Sequence, residues 1–152
     1  MPPTAHPSAA IVAEDHSDLI AKLTDAIGAA YVLTDAADMA GRLVEDRGLY
    51  TGTAIALLRP GSTDEVATCV RLCAAAGVAI VPQGGNTGLV GGGVADGGVI
   101  LTTDRLNRIR NVDATNATMT VDAGCILANI QQAADAAGAL FPLSLASEGS
   151  CQ

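Results

Sequence analysis

The segment between residues 82 and 93 carries most of the residues whose chemistry suits ligand binding. It reads Pro-Gln-Gly-Gly-Asn-Thr-Gly-Leu-Val-Gly-Gly-Gly, with no lysine or arginine. Closely spaced glycines allow successive backbone N–H groups to converge on one anion, because glycine adopts positive φ at little steric cost. Gln83, Asn86 and Thr87 add neutral hydrogen-bonding side chains. This segment therefore predicts a site in which the backbone, rather than cationic side chains, binds an anion.

The sequence excludes two common phosphate-binding motifs. Lys22 is the only lysine, so the G-x-x-x-x-G-K-[ST] pattern of P-loop hydrolases is absent. The G-x-G-x-x-G fingerprint of Rossmann domains fails because Thr87 stands two residues after Gly85. A diphosphate within a larger cofactor suits the segment, since a hydrogen bond to a charged group contributes roughly 1.5–3 kcal/mol. A glycine-rich surface loop without a ligand is the alternative.

Flanking patterns place this segment at the edge of a sheet. Residues 55–58 and 78–81 are short apolar runs typical of strands. Between them, Ser62 and Glu65 have the spacing of a capping box, and Gly77 stands where a helix would end. The apolar stripe of the intervening helix consists of Val66, Cys69, Val70 and Cys73. This order predicts a βαβ unit with parallel strands, and ligands gather at the carboxyl edge of such strands.

Further helices and strands are predicted on both sides. Ser17 is expected to cap a first helix with Ile20, Leu23 and Ile27 on its apolar face. Residues 99–101 and 119–121 read as strands, and turn residues at 111–113 and 116 separate them. The apolar stripe of a last helix, which Gly138 ends, consists of Ile126, Ile130, Ala133 and Ala137. Residues 31–52 give no clear pattern.

Composition limits the class of protein. The formal net charge is −8 and aromatic residues make up 2%, which argues against a nucleic-acid partner. The apolar runs are too short for a membrane span. The four cysteines form no C-x-x-C pattern, so no metal site is predicted. Residues 1–16 have the composition of a mobile leader without a secretory signal, which predicts one domain over 17–152 and a cytoplasmic location.

The residues from Pro82 to Gly88, followed by Gly91 and Gly92, resemble the pyrophosphate loop of FAD-linked oxidases of the vanillyl-alcohol oxidase type. The resemblance covers roughly residues 50–152, and the chain looks most like the D-2-hydroxyglutarate and D-lactate dehydrogenase branch. The other matching segments are Leu58-Arg59-Pro60, Arg105-Leu106-Asn107-Arg108, Val121-Asp122-Ala123-Gly124, Phe141-Pro142-Leu143-Ser144 and Glu148-Gly149-Ser150-Cys151.

The resemblance implies an α+β fold: two small α/β lobes of a PCMH-type FAD-binding domain, the first with the parallel βαβ unit and the second incomplete. It implies FAD bound between the lobes. Non-covalent binding is expected because the only histidines, His6 and His16, lie in the leader; a thioether to Cys125 or Cys151 is the alternative. The residues implied to contact the diphosphate are Gln83, Gly84, Gly85, Asn86, Thr87 and Gly88, with Gly91 and Gly92 turning the loop against the cofactor. Those implied along the ribityl chain and isoalloxazine are Gly124, Pro142, Gly149 and Ser150.

The resemblance also implies a function, the FAD-binding portion of a flavin-dependent D-2-hydroxy-acid dehydrogenase. In the full enzyme a hydride would pass from C2 of a small 2-hydroxy acid to flavin N5, and a separate acceptor would take the electrons. No catalytic residue is assigned, because the family's catalytic residues and metal ligands fall beyond residue 152, and the chain alone is expected to be inactive. A homodimer is left open. The alternatives are an NADPH-dependent enolpyruvyl reductase on the same flavin module and a non-catalytic binding domain.

Overall fold

The computed structural model describes residues 15–152. The expected mobile leader, residues 1–16, lies outside the described residues except for Asp15 and His16. The helices are α1 (Ser17–Ile27), α2 (Ala36–Met39), α3 (Thr63–Ala75) and α4 (Leu127–Ala136), with 3-10 turns at Ala29–Tyr31 and Ala40–Arg42. The strands are β1 (Val32–Leu33), β2 (Thr53–Leu58), β3 (Ile80–Gln83), β4 (Asp96–Thr102), β5 (Ile109–Asp113) and β6 (Thr118–Val121).

A four-stranded sheet in the order β1-β2-β4-β3 forms the centre of the first lobe. Both β2 and β3 pair with β4 in parallel, whereas β1 pairs with β2 in the antiparallel sense. The predicted βαβ unit is present, but β4 lies between its two strands. Val99 and Ile100 of β4 are fully buried, as expected for a central strand covered on both faces. The carboxyl ends of β3 and β4 therefore meet at one edge of the sheet.

Helix α3 forms as its capping residues predict. Ser62 Oγ accepts a hydrogen bond from the Glu65 N–H at 3.1 Å, and the Glu65 carboxylate accepts one from the Gly61 N–H at 2.7 Å. Cys69 and Cys73 are fully buried against the sheet, and burial raises the pKa of Cys69 to about 11. Both are therefore neutral core residues. The assignment of Val70 to the apolar stripe is wrong, because this side chain is 45% exposed.

The predicted cap of α1 is also wrong. His16 is the N-cap residue and makes no side-chain capping bond, and Ser17 is the first helical residue. The Ser17 N–H instead donates to Asp15 Oδ1 at 2.9 Å. The apolar face itself is correct for Leu23 and Ile27, which are buried.

The two serines provide a matched test of capping. Replacing Ser62 with alanine should lower the free energy of unfolding by about 1 kcal/mol, because the Glu65 N–H loses its acceptor. The same change at Ser17 should have little effect, since Ser17 is the first helical residue and not the N-cap. Urea denaturation followed by circular dichroism measures both, and equal losses would contradict this assignment of caps.

The second lobe contains the antiparallel pair β5-β6 and helix α4. The interpretation of residues 111–113 as a turn is wrong, because they lie in β5, whose exposed polar residues hide its strand pattern. The turn follows at residues 114–117, where the Asp113 carboxylate accepts the N–H groups of Thr115 and Asn116. The buried face of α4 differs from the predicted apolar stripe, because its buried residues are Leu127 and Ala134. Within residues 15–152, no helix has the length and apolar character needed to cross a bilayer.

Candidate functional site

The glycine loop, defined as residues 84–93, leaves the carboxyl end of β3 and leads towards β4. It borders an open cleft of about 350 Å³ at this edge of the sheet. The position agrees with the predicted site after a parallel strand. The residues that line the cleft are Glu45, Pro82, Gln83, Gly84, Gly85, Asn86, Thr87, Gly88, Val90, Gly92, Gly93 and Gln152.

The first half of the glycine loop offers backbone donors without protein acceptors. In the part of the chain that the structure describes, the N–H groups of residues 84–88 make no hydrogen bond to backbone or side chain. Asn86 has a φ of 54°, in the left-handed region, so the chain reverses direction within this run. Consecutive N–H groups in such a turn form a concave site for an anion.

Arg42 fixes the orientation of the first peptide of the loop. Its Nη1 donates to the Gly84 carbonyl at 2.7 Å and to Gln83 Oε1 at 3.3 Å. A trans peptide points its N–H away from its carbonyl, and the described residues contain no cis peptide. The Gly85 N–H therefore points away from Arg42. The loop itself holds no cation, but Arg42, from a distant segment, determines the direction of one of its donors, the Gly85 N–H.

Two of the polar side chains predicted to contact a ligand make hydrogen bonds within the protein. The buried Gln83 donates through Nε2 to the Arg42 carbonyl at 2.9 Å and to the Gly93 carbonyl at 3.0 Å, closing the loop at its base. Asn86 Nδ2 donates to the Val44 carbonyl at 2.9 Å. Both amides thus hold the loop in shape. Thr87 lines the cleft, and its hydroxyl bonds to no described residue.

The segment that holds the loop from outside is residues 42–50, here called the clamp segment, and sequence reasoning missed it. The Arg47 guanidinium donates to the Leu89 carbonyl. Glu45 is buried, and its carboxylate accepts the N–H groups of Arg47 at 2.5 Å and Leu49 at 3.2 Å, which closes a tight turn in the segment. The segment begins at the last residue of the 3-10 turn Ala40–Arg42 and otherwise holds one side of an isolated bridge, Val44 with Thr51. It therefore carries no apolar period that could have revealed it.

Glycines of the loop also allow close packing. Gly91 has a φ of 76°, and a Cβ there would lie 3.0 Å from the Tyr50 ring, so the loop packs on the clamp segment at this point. A Cβ on Gly85 would lie 1.8 Å from the Ser150 carbonyl oxygen. By contrast, a Cβ on Gly88 or Gly92 would meet nothing within 4 Å, so these two present bare backbone to open space.

The last six residues approach the loop from the second lobe. Thr103 Oγ1 donates to Gln152 Oε1 at 3.0 Å, and Gly84 lies close to the same Gln152 side chain. The Cys151 carbonyl accepts the Leu127 N–H at 2.9 Å, which satisfies one free donor at the start of α4. Ser150 therefore lies at the loop through its backbone contact with Gly85, whereas the resemblance implied a place along the ribityl chain and isoalloxazine.

The remaining predicted site residues have other surroundings. Gly124 packs against the Thr103 backbone, where a Cβ would lie 1.7 Å from the carbonyl oxygen. Gly149 has open space where its Cβ would be. Pro142 lines a separate surface depression beside Gln131 and Asp135 of α4, not the cleft at the glycine loop. The structure thus brings together residues 83–88, Gly91, Gly92 and Ser150, but not Pro142.

The acidic residue Asp104 forms an ion pair with Arg42. Asp104 Oδ2 is 3.7 Å from Arg42 Nη2 and 3.1 Å from Arg59 Nη2, while Oδ1 accepts a hydrogen bond from Thr102 Oγ1 at 2.6 Å. Burial raises the pKa of Asp104, but the Thr102 hydrogen bond and the two arginines outweigh burial, so the pKa lies below its ordinary value. The group is ionised at neutral pH. Among residues 15–152, no cluster of three metal-ligating side chains accompanies it.

Sequence comparison relates the chain to flavin-binding proteins. A family model described as an FAD binding domain matches residues 54–152. A probable mitochondrial D-2-hydroxyglutarate dehydrogenase of Oryza sativa subsp. indica is 35% identical over 90% of this chain and 24% of that protein. A D-2-hydroxyglutarate dehydrogenase of Xanthomonas citri pv. viticola is 38% identical over 87% of this chain and 28% of that protein. A putative mitochondrial D-lactate dehydrogenase of Schizosaccharomyces pombe is 37% identical over 78% of this chain and 23% of that protein. The chain spans about a quarter of the length of these curated relatives.

Structural comparison agrees on the fold. A 4-ethylphenol oxidase from Gulosibacter chungangensis superposes with a TM-score of 0.71 at 24% identity, over 86% of this chain and 26% of that one. An alkyldihydroxyacetonephosphate synthase gives a TM-score of 0.73 at 18% identity, over 80% of this chain and 25% of that one. At these identities the likeness concerns fold alone. It confirms the expected α+β architecture of the PCMH type.

Proposed function

Because the chain belongs to the family of FAD-binding domains, in the branch of D-2-hydroxyglutarate and D-lactate dehydrogenase-like flavoenzymes, we propose that it is the FAD-binding portion of a flavin-dependent D-2-hydroxy-acid dehydrogenase. One observation carries the proposal. The run of N–H groups at residues 84–88 has no acceptor among the described residues and is held in shape by Arg42 and Asn86. A diphosphate supplies the acceptors that such a run lacks.

The donor set fits the diphosphate of FAD. The backbone donors from residues 84 to 88 are neutral amides, and the cleft beside them has room for the diphosphate of a larger molecule. Glu45, a carboxylate that borders the cleft, does not oppose an anion strongly. Its oxygens already accept two backbone N–H groups, and Arg47 Nε lies 3.8 Å away. The open positions at Gly88 and Gly92 allow the cofactor to approach the main chain directly.

The described residues bind and orient, and we assign none of them a catalytic role. Bound flavin supplies the hydride acceptor, N5, for oxidation of a D-2-hydroxy acid at C2. Amides of the glycine loop hold the diphosphate. Hydrogen bonds to the clamp segment hold the loop in the conformation that presents those amides. We propose non-covalent attachment and a separate electron acceptor, and the choice of hydroxy acid rests on the names of the relatives. Cytoplasmic location stays a prediction, since several relatives are named as mitochondrial.

Binding of FAD by the purified 152-residue chain tests the proposal. Quenching of flavin fluorescence is measured during titration with FAD, and riboflavin, which lacks the diphosphate, serves as the comparison ligand. We expect FAD to bind clearly more tightly than riboflavin, because only FAD offers phosphate oxygens to the loop amides. Equal affinity for the two ligands would mean that the loop does not contribute to FAD binding. A folded chain that binds neither favours a non-catalytic binding domain.

A variant at Gly88 tests the same site within the protein. Replacing Gly88 with valine should weaken FAD binding by about tenfold, because the new side chain fills the open space in which the cofactor meets the backbone. The fold should tolerate it, since no atom lies within 4 Å of the added Cβ. Gly41→Val is the matched control, at another open glycine outside the cleft. Similar FAD affinity in the two variants would contradict the proposed contact.

A further inference from the structure

We infer that Asp104 is a positioning residue for the glycine loop: its carboxylate orients the Arg42 guanidinium, which fixes the Gly84 carbonyl and, with it, the direction of the Gly85 N–H. The inference rests on the proposed function, because the Gly85 N–H so fixed is one of the donors offered to the diphosphate. Asp104 itself does not contact the loop, and it acts through Arg42.

The carboxylate of Asp104 is held in one orientation. It lies two residues after the end of β4, at the same sheet edge where β3 leads into the loop. One oxygen accepts the Thr102 hydroxyl at 2.6 Å, and Thr102 is fully buried. The other oxygen lies 3.2 Å from Arg59 Nε and 3.1 Å from Arg59 Nη2. Because donors from two sides fix both oxygens, the carboxylate presents a stationary charge to its third neighbour.

That third neighbour is Arg42. Its Nη2 lies 3.7 Å from Asp104, while its Nη1 donates to the Gly84 carbonyl at 2.7 Å. A guanidinium is planar and rigid, so fixing one of its nitrogens also fixes the direction of the other. The side chains of Arg42 and Asp104 are 27% and 21% exposed, so water screens their attraction only partly. The orientation of the Asp104 carboxylate at the end of β4 therefore determines, through Arg42, the orientation of the Gly84–Gly85 peptide.

A double-mutant cycle separates positioning from mere support of the strand end. Asp104→Asn keeps an oxygen for the Thr102 hydroxyl but removes the charge that faces Arg42. We expect FAD affinity to fall by about two- to tenfold, with riboflavin affinity unchanged, and no further fall when the substitution is made in Arg42→Met. A loss of equal size in both backgrounds would mean that Asp104 acts independently of Arg42, and would overturn the inference.

A measurement on the cofactor-free chain keeps this test separate from the proposed function. The ¹H–¹⁵N amide resonances of Gly84 and Gly85 should move in Asp104→Asn, and in the same direction as in Arg42→Met. Asp122→Asn is the control, since Asp122 is also a carboxylate held by two arginines, Arg108 and Arg110, but it does not contact Arg42. Its substitution should lower stability and leave both loop resonances in place.

The outcomes are distinct. Coupled movement of the loop resonances in a chain that binds no FAD would support the positioning role while the proposed function fails. Unmoved resonances in a folded Asp104→Asn chain would refute the positioning role, whether or not FAD binds.

Discussion

Replacing Gly124 with alanine should lower the free energy of unfolding by about 3 kcal/mol, the upper end of the usual cost of overpacking. The added Cβ would lie 1.7 Å from the Thr103 carbonyl oxygen and 2.9 Å from that of Leu106. Both are backbone atoms, so no side-chain rotation can relieve the clash. The Gly124 N–H also donates to the Leu106 carbonyl at 2.7 Å, a bond that any shift of the backbone would strain.

Gly149→Ala is the matched control for this prediction. Both glycines were assigned to the cofactor from the family resemblance, but a Cβ on Gly149 would meet nothing within 4 Å. Its substitution should change stability by less than about 0.5 kcal/mol. Urea denaturation measures both variants, and FAD titration of each folded variant follows. A Gly124→Ala chain with normal stability but weak FAD binding would show that this glycine serves the cofactor rather than backbone packing.

The elements that sequence reasoning found are those with local signals. The cap of α3 depends on Ser62 and Glu65, three residues apart, and its buried face depends on Cys69 and Cys73, four residues apart. The glycine loop was found from its run of glycines and neutral polar residues and from its place after a predicted strand. Strand order has no comparable local signal. The position of β4 between β2 and β3 is set by tertiary packing. A continuous apolar run such as residues 99–101 is compatible with any central position in a sheet.

The polar parts of the site show a second limit. Gln83 and Asn86 line the cleft, but their amides make hydrogen bonds to Arg42, Gly93 and Val44 within the protein. A side chain that can bind a phosphate can equally bind a carbonyl, so residue type does not decide between them. Only the three-dimensional structure shows which partner is present.

The clamp segment shows why such partners escape sequence analysis. Arg42 and the Gly84 carbonyl are 42 positions apart, and the segment around Arg42 has neither an apolar period nor a long helix or strand. Its role is to satisfy and orient backbone groups of another segment. No spacing rule along one chain encodes a contact of that kind, yet the orientation of the loop donors depends on it.

Replacing Arg42 with methionine should therefore weaken FAD binding by roughly 10- to 100-fold, because hydrogen bonds from a charged donor contribute roughly 1.5–3 kcal/mol each. Methionine keeps much of the aliphatic volume but leaves the Gly84 carbonyl without the donor that now lies at 2.7 Å. The first peptide of the loop is then free to rotate, and the direction of the Gly85 N–H is no longer fixed. Isothermal titration of the purified chain with FAD measures the change.

Two further variants test whether the effect depends on the planar guanidinium of Arg42. Arg42→Lys should recover only part of the affinity, because an ammonium reaches the Gly84 carbonyl or Asp104 but cannot bridge them with a rigid plane. Arg71→Met removes an exposed arginine whose hydrogen bond, among residues 15–152, is to Thr68 on the same helix, and should leave FAD affinity unchanged. Full affinity in a folded Arg42→Met chain would mean that the loop keeps its shape through Gln83 and Asn86 alone. The cation supplied from the clamp segment would then be dispensable for orienting the amides, and the link from Asp104 to the loop would fall with it.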